Sequence, residues 1–349
     1  GIPADKKEAA KLFKLAADKG DVDSQEAIGI MLRNGEGIPT DNTEALKYLK
    51  MAIKGGSTVA NSHYAEMHFE GNGVPKNKKK AAFYFKQGAE RGSAYSMNYY
   101  GVMLRDGDGI PTDKKEAIKY FKKSIELGFA PAMSNLGEML NEGDGIQMDK
   151  KEAVRLFKMA MEKGNAYATN NYAYALQYGE GIETNKKEAA KYFKRAADLG
   201  HLCSIFDYAE MLMEGDGIEV NKKEAAKYFQ ISADLGENKS SFVFGQMLYE
   251  GDGIEVDYSK AAFYMKKAAD GGIVRAYEFY GYMLLRGEGV EVNNEEAFYY
   301  LILPAVLEFP NAQYLVGHML YFGEGITTDR KTALDLFKKA ADQGVKEAM

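Results

Sequence analysis

Four histidines, one cysteine and a series of acids flanked by glycine are the residues of this 349-residue chain that invite a chemical reading. His63, His68, His201 and His318 lie far apart along the sequence. A metal centre or a catalytic triad needs two or three such groups to converge. Glu214-Gly215-Asp216-Gly217 has the outline of a calcium loop. Aligning Gly217 with the obligatory glycine of an EF-hand puts Leu212 in the first ligand position and Lys223 in the last, and neither offers a carboxylate oxygen. The acid between the glycines therefore reads as a solvated turn residue. Gly-x-Gly triplets of this kind also lack the third glycine and the preceding strand that a dinucleotide site requires. Cys203 has no partner for an internal disulfide and reads as a small half-buried residue. Asn238-Lys239-Ser240 matches a glycosylation sequon, expected on a loop, at a frequency that chance supplies. No catalytic, cofactor-binding or metal-binding residue is expected, and the chain reads as no enzyme.

Composition narrows the classes further. A chain that is 46% hydrophobic and 28% charged has enough apolar surface to bury a core, which excludes wholesale disorder. The net charge of −6, with no basic stripe, argues against a general nucleic-acid binder. No apolar run approaches the length of a membrane span, so direct insertion is not expected. A single cysteine and the lack of a span favour a cytoplasmic location.

The elements that must position any site follow from a repeat. Gly-x-Gly recurs at Gly35–Gly37, Gly71–Gly73, Gly107–Gly109 and onward to Gly323–Gly325, always 36 residues apart. Gly1 sits one period before Gly37. The predicted organisation is one array over residues 1–349, of about ten units without insertions. Asp or Asn follows each triplet at Asp5, Asp41, Asn77 and every 36 residues to Asp329, where its side chain can cap a helix. Glu three residues later in seven units resembles a capping box. An Ala column from Ala9 to Ala333 and aromatic or aliphatic residues such as Tyr192 and Phe193 make an apolar helical face. Glycines such as Gly20, Gly200 and Gly236 end that helix.

A second helix of each unit carries small residues, a Gly/Ala column (Gly29, Ala65, Gly101) and a Met column running from Met31 to Met319 with Ala175 as its exception. Methionine at helical spacing reads as filling between neighbouring units rather than as a soft-metal site. His68 stands in the Leu column and reads as a core or half-buried residue. Each hairpin buries only part of its apolar surface and stacking buries the rest. The fold class is therefore all-α, a right-handed α/α superhelical solenoid.

Unit six shows the pattern fully, with Tyr208-Ala209, Met211-Leu212, Gly215-Asp216-Gly217-Ile218, Asn221, Ala225 and Tyr228-Phe229. These residues resemble the Sel1-like repeat family over the whole chain. Tetratricopeptide repeats are related but run 34 residues and lack the Gly-x-Gly. The resemblance implies a scaffold that binds other proteins, and adaptor roles in quality control, envelope signalling and host–microbe contact. The cysteine pairs of the secreted members are missing.

Function on a solenoid is expected in exposed columns that escape the repeat. One such stripe on the inner, concave helices is acidic and amide-rich in the N-terminal half, at Asn98, Asn135, Glu138 and Asn171. It turns aromatic in the C-terminal half, at Tyr174, Phe206, Phe242, Phe279 and Tyr282, with Tyr249 and Tyr314 in the same row. Amides suit the clamping of a peptide backbone and aromatics suit contact area, so these residues, Tyr249 and Tyr314 apart, are the candidate peptide-binding set. Some of the aromatics would instead pack between units. A different irregularity surrounds Pro304, where Ile302 replaces a Lys and Glu308 replaces the capping Gly. A proline there predicts a kink or early stop. Tyr299, Ile302, Leu303 and Val306 are then a candidate second contact surface, for self-association or a further partner.

The expected function is a non-enzymatic scaffold for a protein or peptide. The alternatives are a rigid spacer in a larger assembly and the repeat region of a larger enzyme such as a protein kinase. The chain opens inside a triplet and closes within a helical stretch, which reads as a segment of a longer protein.

Overall fold

A computed structural model describes residues 5–348, so the opening triplet residue Gly1 lies outside the described residues. Among the described residues there are nineteen α-helices, each thirteen residues long, and no strand. The chain divides into two compact units, residues 1–184 and 185–349. The first holds α1 (Lys6–Asp18), α2 (Val22–Asn34), α3 (Asn42–Lys54), α4 (Thr58–Glu70), α5 (Lys78–Glu90), α6 (Ala94–Asp106), α7 (Lys114–Glu126), α8 (Ala130–Glu142), α9 (Lys150–Glu162) and α10 (Ala166–Tyr178). The second holds α11 (Lys186–Asp198), α12 (Leu202–Glu214), α13 (Lys222–Asp234), α14 (Asn238–Glu250), α15 (Tyr258–Asp270), α16 (Val274–Arg286), α17 (Asn294–Val306), α18 (Pro310–Phe322), α19 (Arg330–Asp342) and a 3-10 turn at Lys346–Ala348. We call the odd-numbered helices A and the even-numbered ones B.

Each A helix starts where the Asp/Asn column predicts. Asp41, Asn77, Asp113 and Asn221 all accept from the backbone N–H three residues on. The reciprocal half of the capping box is absent. The N-cap N–H is taken by the preceding B helix: that of Asp113 donates to the Leu104 carbonyl at 2.8 Å and that of Asn221 to Leu212 at 2.8 Å. The column Glu is released for other duties. Glu44 pairs with Lys14 at 2.8 Å and Glu296 with Lys266 at 2.7 Å, one repeat apart.

The turn after each B helix is tighter than a solvated loop. The first glycine of the triplet caps the helix in the left-handed conformation and donates to the Met carbonyl four residues back, as Gly215 does to Met211 at 2.9 Å. The acid between the glycines is not simply solvated, contrary to the sequence expectation. Asp216 pairs with Lys186 at 2.7 Å, Asp252 with Lys222 at 2.7 Å and Glu180 with Lys150 at 2.8 Å; Asp108 and Asp144 pair in the same way with Lys78 and Lys114. The turn is packed against the start of the preceding A helix, which brings lysine and acid together across 30 residues.

The core lies between successive helices within each unit. B helices present the Gly/Ala column to a large residue of the next A helix: a Cβ on Gly101 would meet the Phe121 ring at 2.8 Å, and one on Gly281 would meet Leu301 at 2.6 Å. Met67, Met103, Met139, Met283 and Met319 are buried, as packing residues should be. A helices are joined to one another by a recurring tyrosine. Tyr48, Tyr264 and Tyr300 donate to Asp18, Asp234 and Asp270 of the previous repeat at 2.6, 2.7 and 2.9 Å. Burial, then the hydrogen bond to the carboxylate, pushes Tyr264 and Tyr300 up to about 12.

Three local expectations change. Pro304 lies inside α17, yet α17 keeps the full thirteen residues and does not stop early. The proline costs one hydrogen bond in the last turn. Glu308 then takes a positive φ of 65°, and Phe309 N–H closes onto the Pro304 carbonyl at 2.9 Å, as glycine-capped siblings do. Cys203 is exposed rather than half-buried, because its column faces outward in the first turn of α12. Asn238 lies in the first turn of α14 and not on a loop, and its amide donates to the Gly271 carbonyl at 3.1 Å.

His68 is 4% exposed and neither ring nitrogen has a hydrogen-bond partner. Burial, then the Lys80 charge, lowers its pKa from 6.5 to about 4. The folded state thus holds the ring neutral over a range in which the unfolded chain takes up a proton. Stability is lost as pH falls from about 6.5 towards 4, by about 3 kcal/mol for a shift of this size. His68→Leu restores the column residue. The stability advantage of this variant over the parent is expected to grow between pH 7 and 4 in urea titrations, and a constant difference would contradict the neutral buried ring.

Candidate functional site

The predicted stripe runs along the B helices of each unit. In the first unit it is largely self-satisfied. Asn98 is 2% exposed and accepts from the Asn135 amide at 2.8 Å, so it serves the stack and does not reach a ligand. Asn135 is half-buried and spends one donor on that bond. Glu138 accepts from the Tyr167 hydroxyl at 2.5 Å and from Arg105 at 3.4 Å. Burial and then that hydrogen bond raise Tyr167 to about 12, while a bond involving Asn171 opposes the shift. Tyr174 stacks on Tyr178 with centroids 6.1 Å apart and planes 10° apart. Further towards the N-terminus, Arg33 bonds Glu66 and lies 2.7 Å from His63 Nδ1. Burial works against the Glu66 charge, but the His63 hydrogen bond and the Arg33 charge outweigh it and hold the carboxyl below its usual range.

The second unit differs, because here the aromatic columns open a cavity. Phe206 is partly core: its ring meets the buried Phe229 edge-on at 5.6 Å. Phe242 lies against Phe279 at 6.1 Å, and Tyr249 meets Phe279 at 6.1 Å, both edge-on. Beyond them, B helices α14, α16 and α18 line a concave space of about 820 Å³. Its walls include Tyr249, Phe279, Tyr282, Leu285, Tyr314 and Leu315. Its polar lining residues include Glu278, Arg286, Asn294, Asn311, His318, Glu324 and Glu347. The size and the apolar lining with a few polar groups suit a peptide side chain or small ligand.

Sequence reasoning placed Phe279, Tyr282, Tyr249 and Tyr314 on this face and missed the polar lining. A signal was present. Phe206, Phe242, Glu278 and Tyr314 occupy one column at 36-residue steps, so Glu278 is an acid in an aromatic series. Tyr249 donates to Glu288 at 2.6 Å, a bond that, with burial, raises the phenol well above its ordinary value. Arg286 sits over the Tyr282 ring at 5.6 Å, and its Nε is 3.7 Å from Glu288. His318 Nδ1 lies 3.2 Å from Glu324. These groups pair with one another. Among the described residues no group of three or more His, Cys, Asp or Glu side chains is placed to hold a metal ion.

The four residues predicted as a second surface lie on α17. Tyr299 and Val306 are 67% and 69% exposed, and Ile302 and Leu303 are more than a third exposed. Leu307 extends the patch. No helix among the described residues is long and apolar enough to cross a membrane.

The family model of the Sel1 repeat matches ten times, at residues 1–21, 22–57, 58–93, 94–129, 130–165, 166–201, 204–237, 244–273, 274–303 and 310–345. A solved protective antigen of uropathogenic Escherichia coli strains, which displays an SLR fold, is 22% identical. The match covers 97% of this chain and 88% of the antigen, with a TM-score of 0.61. A Sel1 repeat protein from Oxalobacter formigenes is 21% identical over 100% of this chain and 93% of its own, with a TM-score of 0.59. At these identities the likeness concerns the fold. No curated protein matches the chain.

Proposed function

This chain belongs to the Sel1 repeat family, and from that premise we propose that it is a non-enzymatic scaffold whose B-helix face holds a segment of a partner protein. The observation that carries this reading is the aromatic-walled space of about 820 Å³ on α14, α16 and α18. Apart from α17, the A helices expose mainly charged side chains such as those of Lys187, Lys191 and Lys223. The B-helix columns supply large, stiff side chains with polar groups between them, the combination that dominates protein-binding hot spots. Ten consecutive family matches support one repeat array over residues 1–349. Of the candidate set, Phe279 and Tyr282 line the space directly, Phe242 supports Phe279, and Phe206 leans on the core. Asn135, Glu138, Asn171 and Tyr174 would form a separate contact in the first unit.

Peptide display on the immobilised full chain tests the reading. Phe279→Ala combined with Tyr282→Ala should weaken the selected peptides by about 2 kcal/mol or more. Selection of no peptide at all, or full affinity in the double variant, would remove this face as the binding surface.

The α17 patch supports a second contact, which we assign to a second copy of the chain. Exposed neighbouring apolar side chains of this size cost roughly 1.5–3 kcal/mol each relative to burial. The Ile302→Lys, Val306→Lys variant should show a lower solution mass than the parent in concentration-dependent light scattering. Equal masses across the concentration range would dispose of this contact.

A further inference from the structure

Most charges around the cavity of the second unit have a partner. Arg286 is answered by Glu288 and by the Tyr282 ring, and His318 by Glu324. Glu278 has no such answer. Its carboxylate lies near the backbone N–H of Ala312, in the first turn of α18, which favours the charged form. That helix has no side-chain hydrogen bond at its own N-cap, Phe309, so the Glu278 carboxylate faces N–H groups that no cap has taken. Among the described residues no side chain hydrogen-bonds to Glu278, and Arg275 acts on it only from beyond ion-pair distance. Burial raises the carboxyl pKa above its ordinary value, with the Ala312 N–H and Arg275 opposing the shift. The lining as a whole carries Glu278, Glu324 and Glu347 against Arg286. A half-buried carboxylate with spare acceptor capacity, set beside aromatic walls, is complementary to a cation on an apolar stem. The ring faces attract the cation, the aliphatic stem covers leucines, and the carboxylate takes the hydrogen bonds.

We propose that this cavity recognises a basic side chain, lysine or arginine, presented by the partner segment, with its charged head on Glu278 and its stem among Phe279, Tyr282 and Tyr314. The inference rests on the scaffold reading and makes it specific. An acidic side chain entering the same space would meet uncompensated negative charge, and a neutral one would leave Glu278 dehydrated without a counter-ion. The site thereby selects by charge as well as by size.

The test uses two five-residue peptides, acetyl-Ala-Leu-Arg-Leu-Ala-amide and its citrulline counterpart, which has nearly the same shape without the charge. Each is titrated into the full chain carrying labelled leucine methyl groups. The arginine peptide should move the signals of Leu285 and Leu315 and bind about tenfold more tightly than the citrulline peptide. Glu278→Gln keeps an acceptor for Ala312 N–H and should leave the two peptides equal. Equal affinities in the parent overturn the proposal without any variant, as does a preference for arginine that survives Glu278→Gln. Silence of Leu285 and Leu315 with both peptides overturns it as well. If display-selected peptides nevertheless bind the B-helix face without a basic residue, the scaffold reading stands and only the cation pocket falls. If no peptide binds that face, both fall.

Discussion

Replacing Gly289 by Ala is expected to cost about 2–5 kcal/mol, while Gly272→Ala should cost only about 1–2 kcal/mol. Both glycines have strongly positive φ, 75° and 89°, so both substitutions incur the left-handed penalty of an L side chain. They differ in what surrounds them. A Cβ on Gly272 meets nothing within 4 Å. A Cβ on Gly289 would stand 2.0 Å from the Tyr258 carbonyl oxygen and 2.2 Å from its carbon, backbone atoms that cannot swing aside. The second glycine of the triplet is therefore where one turn presses on the start of the preceding A helix. The same turn carries Glu288, which holds the Tyr249 hydroxyl and faces Arg286. Gly289→Ala should accordingly disturb the aromatic cavity as well as the stability of the stack. Urea unfolding of the two variants side by side checks the contrast. Equal losses would show that φ alone, and not the close approach, sets the requirement for glycine.

The other large effect is expected in the core beneath the aromatic stripe. Phe229 is fully buried, and Phe206 meets its ring edge-on. Phe229→Ala should destabilise by about 3–5 kcal/mol through lost burial and the cavity it leaves. Phe206→Ala, at a half-buried position, should cost appreciably less. Nearest-neighbour stacking makes such losses local, so the unfolding curve of a Phe229 variant should broaden or split as its repeat loosens ahead of the others. A single sharp transition at the parent midpoint would mean that Phe229 contributes little. A loss for Phe206→Ala as large as for Phe229→Ala would reclassify Phe206 as core. The pair thus separates a residue that only holds the stack from one that could also touch a ligand.

Much of the candidate site was visible as columns and little of it as pairs. Phe279 and Tyr282 fall three apart on α16, and that spacing alone puts them on one helical face. Tyr314 stands in the column of Phe206 and Phe242 on the next B helix. Glu278 was overlooked because an acid beside an aromatic row looks like drift on a solvated face. Its importance comes from Ala312 N–H, which belongs to the next B helix. Asn98 was read as an exposed amide, yet the Asn135 side chain folds onto it from the following B helix and the pair is consumed internally. Phe206 was read as a free anchor, and its contact with Phe229 depends on how α12 crosses α13.

The sequence by itself determined the repeat, the helix starts and stops, and the faces that are buried. Those depend on local rules: a side-chain cap at Asp113 or Asn221, a positive φ after α11, and apolar residues three and four apart. A 36-residue period repeats these rules in register, so each repeat corroborates the next. Tertiary structure decided what the variable side chains do. In six triplets the acid finds a lysine 30 residues earlier, as Asp216 finds Lys186, whereas Glu288 meets Tyr249 and Glu324 meets His318. Pro304 is absorbed because it sits in the last turn of α17, where only one helical hydrogen bond is lost and Glu308 accepts the strained φ. Glu278 is left without an ion pair, with Arg286 over the Tyr282 ring and beside Glu288. Such outcomes turn on distances of a few ångströms between helices that are 30 or more residues apart, and spacing along the chain carries no record of those distances.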